Sequence, residues 1–309
     1  MLANYVFFSE SRLFSALLVF RLLNALLIQT TFVPDEFWQS IEVAHKWSFG
    51  YGTLTWEWWP ETALRSPLHP LIFSVLYNLG SVFGLDSRTF VVLVPRLFHA
   101  VLAAAADLHL YRFAVIVSGL ETAKGSVRLI RLRSNLIAVT HIPVALYTCL
   151  IHQRGPIDTV SALRKAIQRR FPTNREILSE NVSILALMPC HTLPPVSFIH
   201  LNVSFKQLNC DPDLSLWFDG QRRVHYDEAD EFYDNPARWL NERFDGLKRT
   251  SSRKPTFITL FDHLFDAHPS LKNLLLHVWG YRECGRFFHA HFLTHRRYGR
   301  YIYILCHAF

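Results

Sequence analysis

No internal repeat and no low-complexity tract runs through the 309 residues, which excludes solenoid and disordered-array architectures. Five cysteines, at 149, 190, 210, 284 and 306, form no CxxC pair. That excludes the familiar zinc-ligand spacings and leaves disulfides open. Charge is not concentrated either. The net charge is +7, but the basic residues are scattered, with one cluster at Lys124, Arg128, Arg131 and Arg133. This is a poor footprint for nucleic acid and a better one for the cytoplasmic flank of a membrane segment. No small-x-small cleavage site follows the first apolar stretch, and Arg21 interrupts its core. A cleaved signal peptide is therefore disfavoured.

Half of the chain is hydrophobic (50%) and 14% is aromatic. A membrane part joined to a soluble part fits that balance. Four stretches read as membrane candidates: 13–33, 68–85, 90–118 and, weakened by His141 and Pro143, 135–151. Mid-helix Arg21 costs roughly 2.5–3.5 kcal/mol in lipid, so it is expected to face other helices or water. Arg96, His99, Ala103 and Asp107 fall on one helical face. Ionisable groups so aligned favour a bundle interior, either as an ion-pair network or as part of a wet site.

The loop of residues 29–70 is the most informative stretch. Its segment Asp35–Phe49 reads as a helix, with Phe37, Ile41 and Ala44 on one face and Gln39, Glu42, His45 and Lys46 polar. With Trp38 and Trp47 added, it suits a helix lying at the membrane interface. Gly50-Tyr-Gly52 ends it. Trp56, Trp58 and Trp59 read equally as an interfacial belt or as sugar-stacking rings. A basic linker spans 119–134. From about 156 onward a soluble α/β domain is expected: a helix Asp158–Arg170, strands at 184–188, 257–260 and 301–305, and an acidic-aromatic helix start at Tyr226–Tyr233. Two sequons, Asn181-Val-Ser183 and Asn202-Val-Ser204, lie in this half. A metal-binding tail of His289, His291, His295 and Cys306 carries little weight as an alternative, because their spacing matches no standard ligand set.

The order Pro34-Asp35-Glu36-Phe-Trp-Gln39, Glu42-Val-Ala-His45, Gly50-Tyr-Gly52, Leu54-Thr-Trp56-Glu57-Trp58 and Leu64-Arg65-Ser66-x-Leu68-His69-Pro70 resembles the first lumenal loop of family 22 mannosyltransferases of the GT-C superfamily. Pro95-Arg96 and Ala106-Asp107-Leu108 are similar to the helix that follows it. His152-Gln153-Arg154-Gly155, Leu187-Met-Pro-Cys190-His191, Asp227-Glu228-Ala229-Asp230 and Phe287-Phe288-His289-x-His291 are similar to the C-terminal region of the same family. The likeness covers about 1–118 and 135–309. The family's long run of further membrane helices is missing between them, as in an internally shortened copy.

The resemblance implies a mainly α membrane bundle of GT-C type with about 3–4 membrane helices and a C-terminal soluble α/β domain. The divisions expected are 1–118 (membrane part with the catalytic loop), 119–134 (linker), 135–151 (weak membrane segment) and 152–309 (soluble domain). It implies a multi-pass membrane enzyme of the endoplasmic reticulum, in GPI-anchor biosynthesis. Such an enzyme takes mannose from dolichyl-phosphate mannose and adds the third, α1,2-linked mannose to the glycosylphosphatidylinositol precursor. Partners are those two lipids and membrane lipid, with no nucleic acid. No cofactor is implied, and a divalent cation is left open. By resemblance Asp35 is the general base and Glu36 its neighbour that orients or binds the acceptor. Arg65 and His69 are the cations for the leaving phosphate, and Trp56, Glu57, His152, Gln153 and Arg154 are substrate-facing. The bland alternative for Asp35 and Glu36 is charge stabilisation of a helix start. A non-catalytic, shortened membrane protein is the rival reading of the whole chain, and loss of the missing helices would strand Arg96 and Asp107 without partners. If 135–151 spans, the C-terminal domain is cytosolic; if not, it is lumenal.

Overall fold

The computed structural model describes residues 9–31, 33, 35–119, 139–172, 178–212, 226–245, 253–293 and 295–307. The larger helices are α1 (Glu10–Leu27), α2 (Glu42–Phe49), α3 (Leu68–Val82), α4 (Arg88–Ser118), α5 (residues 139–150), α6 (Gly155–Arg170), α7 (Glu228–Asp234) and α8 (Pro236–Phe244). The strands are β1 (Ser183–Leu187), β2 (Ser204–Gln207), β3 (Phe257–Phe261), β4 (Tyr281–Phe288) and β5 (Tyr301–His307). Packing divides the chain into two compact units, residues 1–30 with 89–152, and residues 31–88 with 153–309.

The first unit is helical. Its polar stripe is satisfied within the unit. Arg21 makes two parallel bonds to Asp107, Nε to Oδ2 at 2.7 Å and Nη2 to Oδ1 at 2.8 Å. Arg96 donates from Nη1 to the Ile28 carbonyl at 2.8 Å, so neither Arg96 nor Asp107 is stranded. Among the described residues one helix, α4, is long and apolar enough to cross a membrane. At about 1.5 Å per residue its 31 residues reach well past a hydrocarbon core of roughly 30 Å. α1 carries Glu10, Arg12 and Arg21 within 18 residues, and α3 has only 15 residues. Of the three to four membrane helices expected, one is thus a candidate by length and composition among the described residues. The basic cluster Lys124, Arg128, Arg131 and Arg133, with residues 120–138 as a whole, lies outside the described residues.

The second unit is built on a mixed five-stranded sheet of order β2-β1-β3-β5-β4. β2, β1 and β3 are parallel; β5 and β4 join antiparallel. α6 forms as its periodicity predicts, with Val160, Leu163 and Ile167 fully buried. It packs on β4 and β5. A Cβ at its Gly155 would stand 2.8 Å from the Phe288 carbonyl oxygen, so only glycine allows that approach. A core of Phe232, Trp239, Leu240, Leu264, Leu271 and Leu275 joins Leu185, Leu187, Ile258 and Leu260 of the sheet. Disulfides join Cys190 to Cys210 and Cys284 to Cys306. Cys306 is therefore not a metal ligand, and Cys284 sits at the bulge of β4.

Segment 31–88 belongs to this unit. After Asp35 and Glu36 the chain makes a π turn, Phe37–Ile41, that runs into α2. Gly50 closes α2 with φ +80°, where glycine is at home. The interfacial-helix expectation is corrected on one side. Trp38 is fully buried and donates from Nε1 to the Leu193 carbonyl at 3.2 Å. Glu42 and His45 are also fully buried, because backbone and ring partners replace the water they would lose.

Candidate functional site

The parallel strands set the site. Beyond the carboxyl ends of β1 and β2 the chain turns through Cys190-His191 and Asn209-Cys210-Asp211, and the Cys190–Cys210 disulfide ties the two turns together. Ligands of parallel sheets commonly sit off this end of the strands. A cleft of about 570 Å³ opens there, lined in part by Trp38, Trp56, His191, Asp211, Glu228 and Arg243. It combines apolar rings with a few charged groups, as small-molecule sites do.

Asp35 stands beside that cleft. Its carboxylate is 69% exposed, and Oδ1 lies 3.7 Å from His191 Nδ1, an ion-pair rather than a hydrogen-bond distance. His191 is held in the left-handed region, φ +61°, with its ring 4.9 Å from that of Trp38. Burial pushes the His191 imidazole below its ordinary value, against the opposing pull of the Asp35, Glu57 and Asp211 carboxylates. Burial raises the Asp211 carboxyl in turn.

A second layer holds the Asp35 segment. Glu42, fully buried, accepts from the Thr53 and Ser197 backbone N–H groups, each at 2.8 Å. Burial raises its carboxyl, opposed by those two bonds. His45 donates from Nδ1 to the Tyr51 carbonyl at 3.2 Å, and its Nε2 lies 3.0 Å from His200 Nδ1, while His200 Nε2 donates to the Asp86 carbonyl at 2.7 Å. Burial, with the neighbouring His200, pushes it down to about 3. Glu57 accepts from Gln39, from Thr55 at 3.1 Å and from Arg65 at 2.8 Å, and Gln39 in turn accepts from Trp58 Nε1 at 2.9 Å.

Residues 12–132 match the Alg9-like mannosyltransferase family. The matched segment carries Asp35, the Glu57 network and α4. Over 118 residues the chain is 48% identical to the mannosyltransferase APTG1 of Arabidopsis thaliana, covering 38% of this chain and 21% of that one. It is 51% identical over 109 residues to GPI mannosyltransferase 3 of Schizosaccharomyces pombe, covering 35% and 21%. To GPI alpha-1,2-mannosyltransferase 3 of Homo sapiens it is 46% identical over 104 residues, covering 34% and 18%. The chain thus spans about a fifth of the length of the curated relatives it matches. No solved structure matches it.

The expected site residues fall into separate places. Asp35 and Glu36 are exposed at the start of the helical segment, and Trp56 lines the cleft. Arg65 sits on Glu57. His69, on the first turn of α3, pairs its Nδ1 with Ser40 Oγ at 3.0 Å. Gln153 takes φ +61° and uses its backbone: its carbonyl accepts from Thr31, and its N–H donates to the His289 carbonyl at 2.8 Å. Arg154 pairs with Asp158 at 3.0 Å at the head of α6. His152, buried, lies in the first unit with its ring 5.7 Å from that of Tyr147. His191 and Asp211 were not expected as site residues. The only sequence signal for His191 was its place in the Leu187-Met-Pro-Cys190-His191 motif, and nothing in the sequence singled out Asp211.

Proposed function

We propose that the chain acts as a mannosyltransferase of GPI-anchor biosynthesis, adding the third, α1,2-linked mannose to the glycosylphosphatidylinositol precursor from dolichyl-phosphate mannose. The observation that carries this reading is the 46–51% identity, over 104–109 residues, to proteins named GPI mannosyltransferase 3 and GPI alpha-1,2-mannosyltransferase 3. In the proposed reaction an acceptor hydroxyl attacks the anomeric carbon and the bond to the phosphate oxygen breaks, so dolichyl phosphate leaves. Asp35 takes the hydroxyl proton, a role that needs an accessible carboxylate. Glu36 helps bind the acceptor. The leaving phosphate gains charge and calls for a cation, for which Arg65 and His69 are the candidates from the loop. Trp56 and Glu57, with His152, Gln153 and Arg154, complete the substrate-facing set. The functional partition proposed is 1–118, 119–134, 135–151 and 152–309, in a multi-pass, GT-C type bundle of the endoplasmic reticulum membrane. Exposed apolar side chains within each unit support lipid-facing helices: Phe20 and Leu23 on α1 with Phe113 and Ile116 on α4 in the first unit, and Val75 and Leu79 on α3 in the second.

A second reading, a non-catalytic shortened member, is favoured by the one-fifth coverage of the relatives. One experiment separates the two. The 309-residue chain is expressed in cells that lack the third GPI mannosyltransferase, and the three-mannose precursor and surface GPI-anchored proteins are scored. Restored product supports the transferase. A chain stably present in the membrane but without product supports the shortened, inactive member.

A further inference from the structure

We propose that Asn181 and Asn202 are a matched pair of N-glycosylation sites on one rim of the second unit. The two sequons lead side by side into neighbouring parallel strands. Ser183 and Ser204 are register partners in β1 and β2, and the Ser204 N–H donates to the Val182 carbonyl at 3.0 Å. The middle residue of each sequon is an anchor: Val182 is 0% and Val203 7% exposed. Asn181 and Asn202 themselves are exposed. Their acceptor amides therefore sit at the amino-terminal rim of the parallel strands.

Two independent features fit this placement. First, the same unit holds two disulfides, Cys190–Cys210 and Cys284–Cys306. Disulfides persist in oxidising compartments and are rare in the cytosol, and the endoplasmic reticulum lumen is where N-glycans are added. Second, the amino-terminal rim is the one glycans can occupy without closing the cleft. The cleft's polar turns, Cys190-His191 and Asn209–Asp211, lie beyond the opposite end of β1, a strand of five residues. That is roughly 16 Å away at about 3.3 Å per residue.

The step is transfer from a lipid-diphosphate-linked oligosaccharide, made by the cell's oligosaccharide-transferring enzyme. The asparagine Nδ2 forms a bond to the anomeric carbon of the sugar. The bond from that carbon to the diphosphate oxygen breaks, and the lipid diphosphate leaves with the electron pair. The amide loses one proton to a base of the transferring enzyme.

The test uses the full 309-residue chain expressed in animal cells and analysed by gel mobility before and after endoglycosidase H. Limited digestion is expected to give two increments of mobility. Asn181→Gln and Asn202→Gln are each expected to remove one, and the double variant is expected to be insensitive. An inactive chain would carry the same two glycans, so this outcome is separable from mannosyl transfer. Maleimide labelling of the four paired cysteines without reductant, expected to be absent, checks that the unit is folded and oxidised. A wild-type band that the glycosidase does not move overturns the proposal. A single variant that leaves the mobility unchanged overturns it for that asparagine.

Discussion

Asp35 and His191 are 156 positions apart in sequence and face each other across 3.7 Å, the aspartate 69% exposed and the histidine largely buried. The pair joins the start of the loop helix to the turn that leaves β1. On the proposed mechanism, Asp35→Asn removes the proton acceptor without touching the core. Transfer is expected to fall by about 10²–10⁴-fold, while thermal stability stays within about 0.5 kcal/mol, as for other exposed substitutions. Mannose transfer in microsomes, with a melting curve of the solubilised chain, measures both. A full-activity Asp35→Asn variant would sink the assignment.

His191 is expected to act on Asp35 and not on substrate. Burial keeps it neutral near pH 7. As pH falls through its depressed value, the imidazolium forms and pairs with the Asp35 carboxylate, withdrawing it from proton transfer. His191→Gln is therefore expected to cost less activity than Asp35→Asn and to flatten the acid limb of the pH–rate profile. An unchanged profile would reduce His191 to a packing role against Trp38.

Glu42 offers a stability test. Glu42→Ala leaves the Thr53 and Ser197 N–H groups without their acceptor, at about 1–3 kcal/mol for each buried donor. The expected loss is about 3–5 kcal/mol, the range of severe core defects. Glu42→Gln keeps one acceptor oxygen and is expected to lose about 1–3 kcal/mol. Denaturant titration of both variants would rank them, and equal losses would contradict the two-bond account.

Acid is expected to weaken the second unit through His45. Its folded value is about 3 against an ordinary 6.5. Above 6.5 folded and unfolded forms are both neutral; between 6.5 and about 3 only the unfolded form takes the proton. Stability from this group is thus complete above pH 6.5 and falls as pH falls, by up to ~1.4 kcal/mol per pH unit. Melting temperature against pH for wild type and His45→Gln should show a shallower slope in the variant. His191 and His263, both lowered by burial, slope the same way.

The Cys190–Cys210 bridge closes a segment with a sequence separation of 20. Chain-entropy arguments put its contribution at about 3 kcal/mol. The double variant Cys190→Ser/Cys210→Ser is expected to melt lower by that amount and to disturb the cleft, whose lining includes both positions. Unaltered melting under reductant would contradict it.

Much of the local structure was legible. α6 showed its apolar face at Val160, Leu163 and Ile167, and β3 showed a run of apolar and β-branched residues, Phe257–Phe261. Asp35 and Glu36 were legible through a resemblance. β2 was not, since Ser-Phe-Lys-Gln is short and half exposed. Neither was β4, where the bulge between Glu283 and Gly285 breaks the alternation that marks a strand. The packing of residues 31–88 with 153–309 was the larger omission. A polar residue on an amphipathic stretch reads as solvent-facing. Distant partners, Ser197 for Glu42 and His200 for His45, join the nearby Thr53 and Tyr51 in turning it inward.

Those partners lie far along the chain: Trp38 to Leu193, Glu42 to Ser197 and His45 to His200 each span 155 residues. A ribosome adding about 5–20 residues per second needs on the order of 8–30 s to make that stretch. For that interval the nascent segment around Trp38 exposes an indole, a carboxylate and an imidazole destined for burial, with no docking surface yet made. Burial of these three side chains therefore cannot be complete before residues 193–200 have been synthesised.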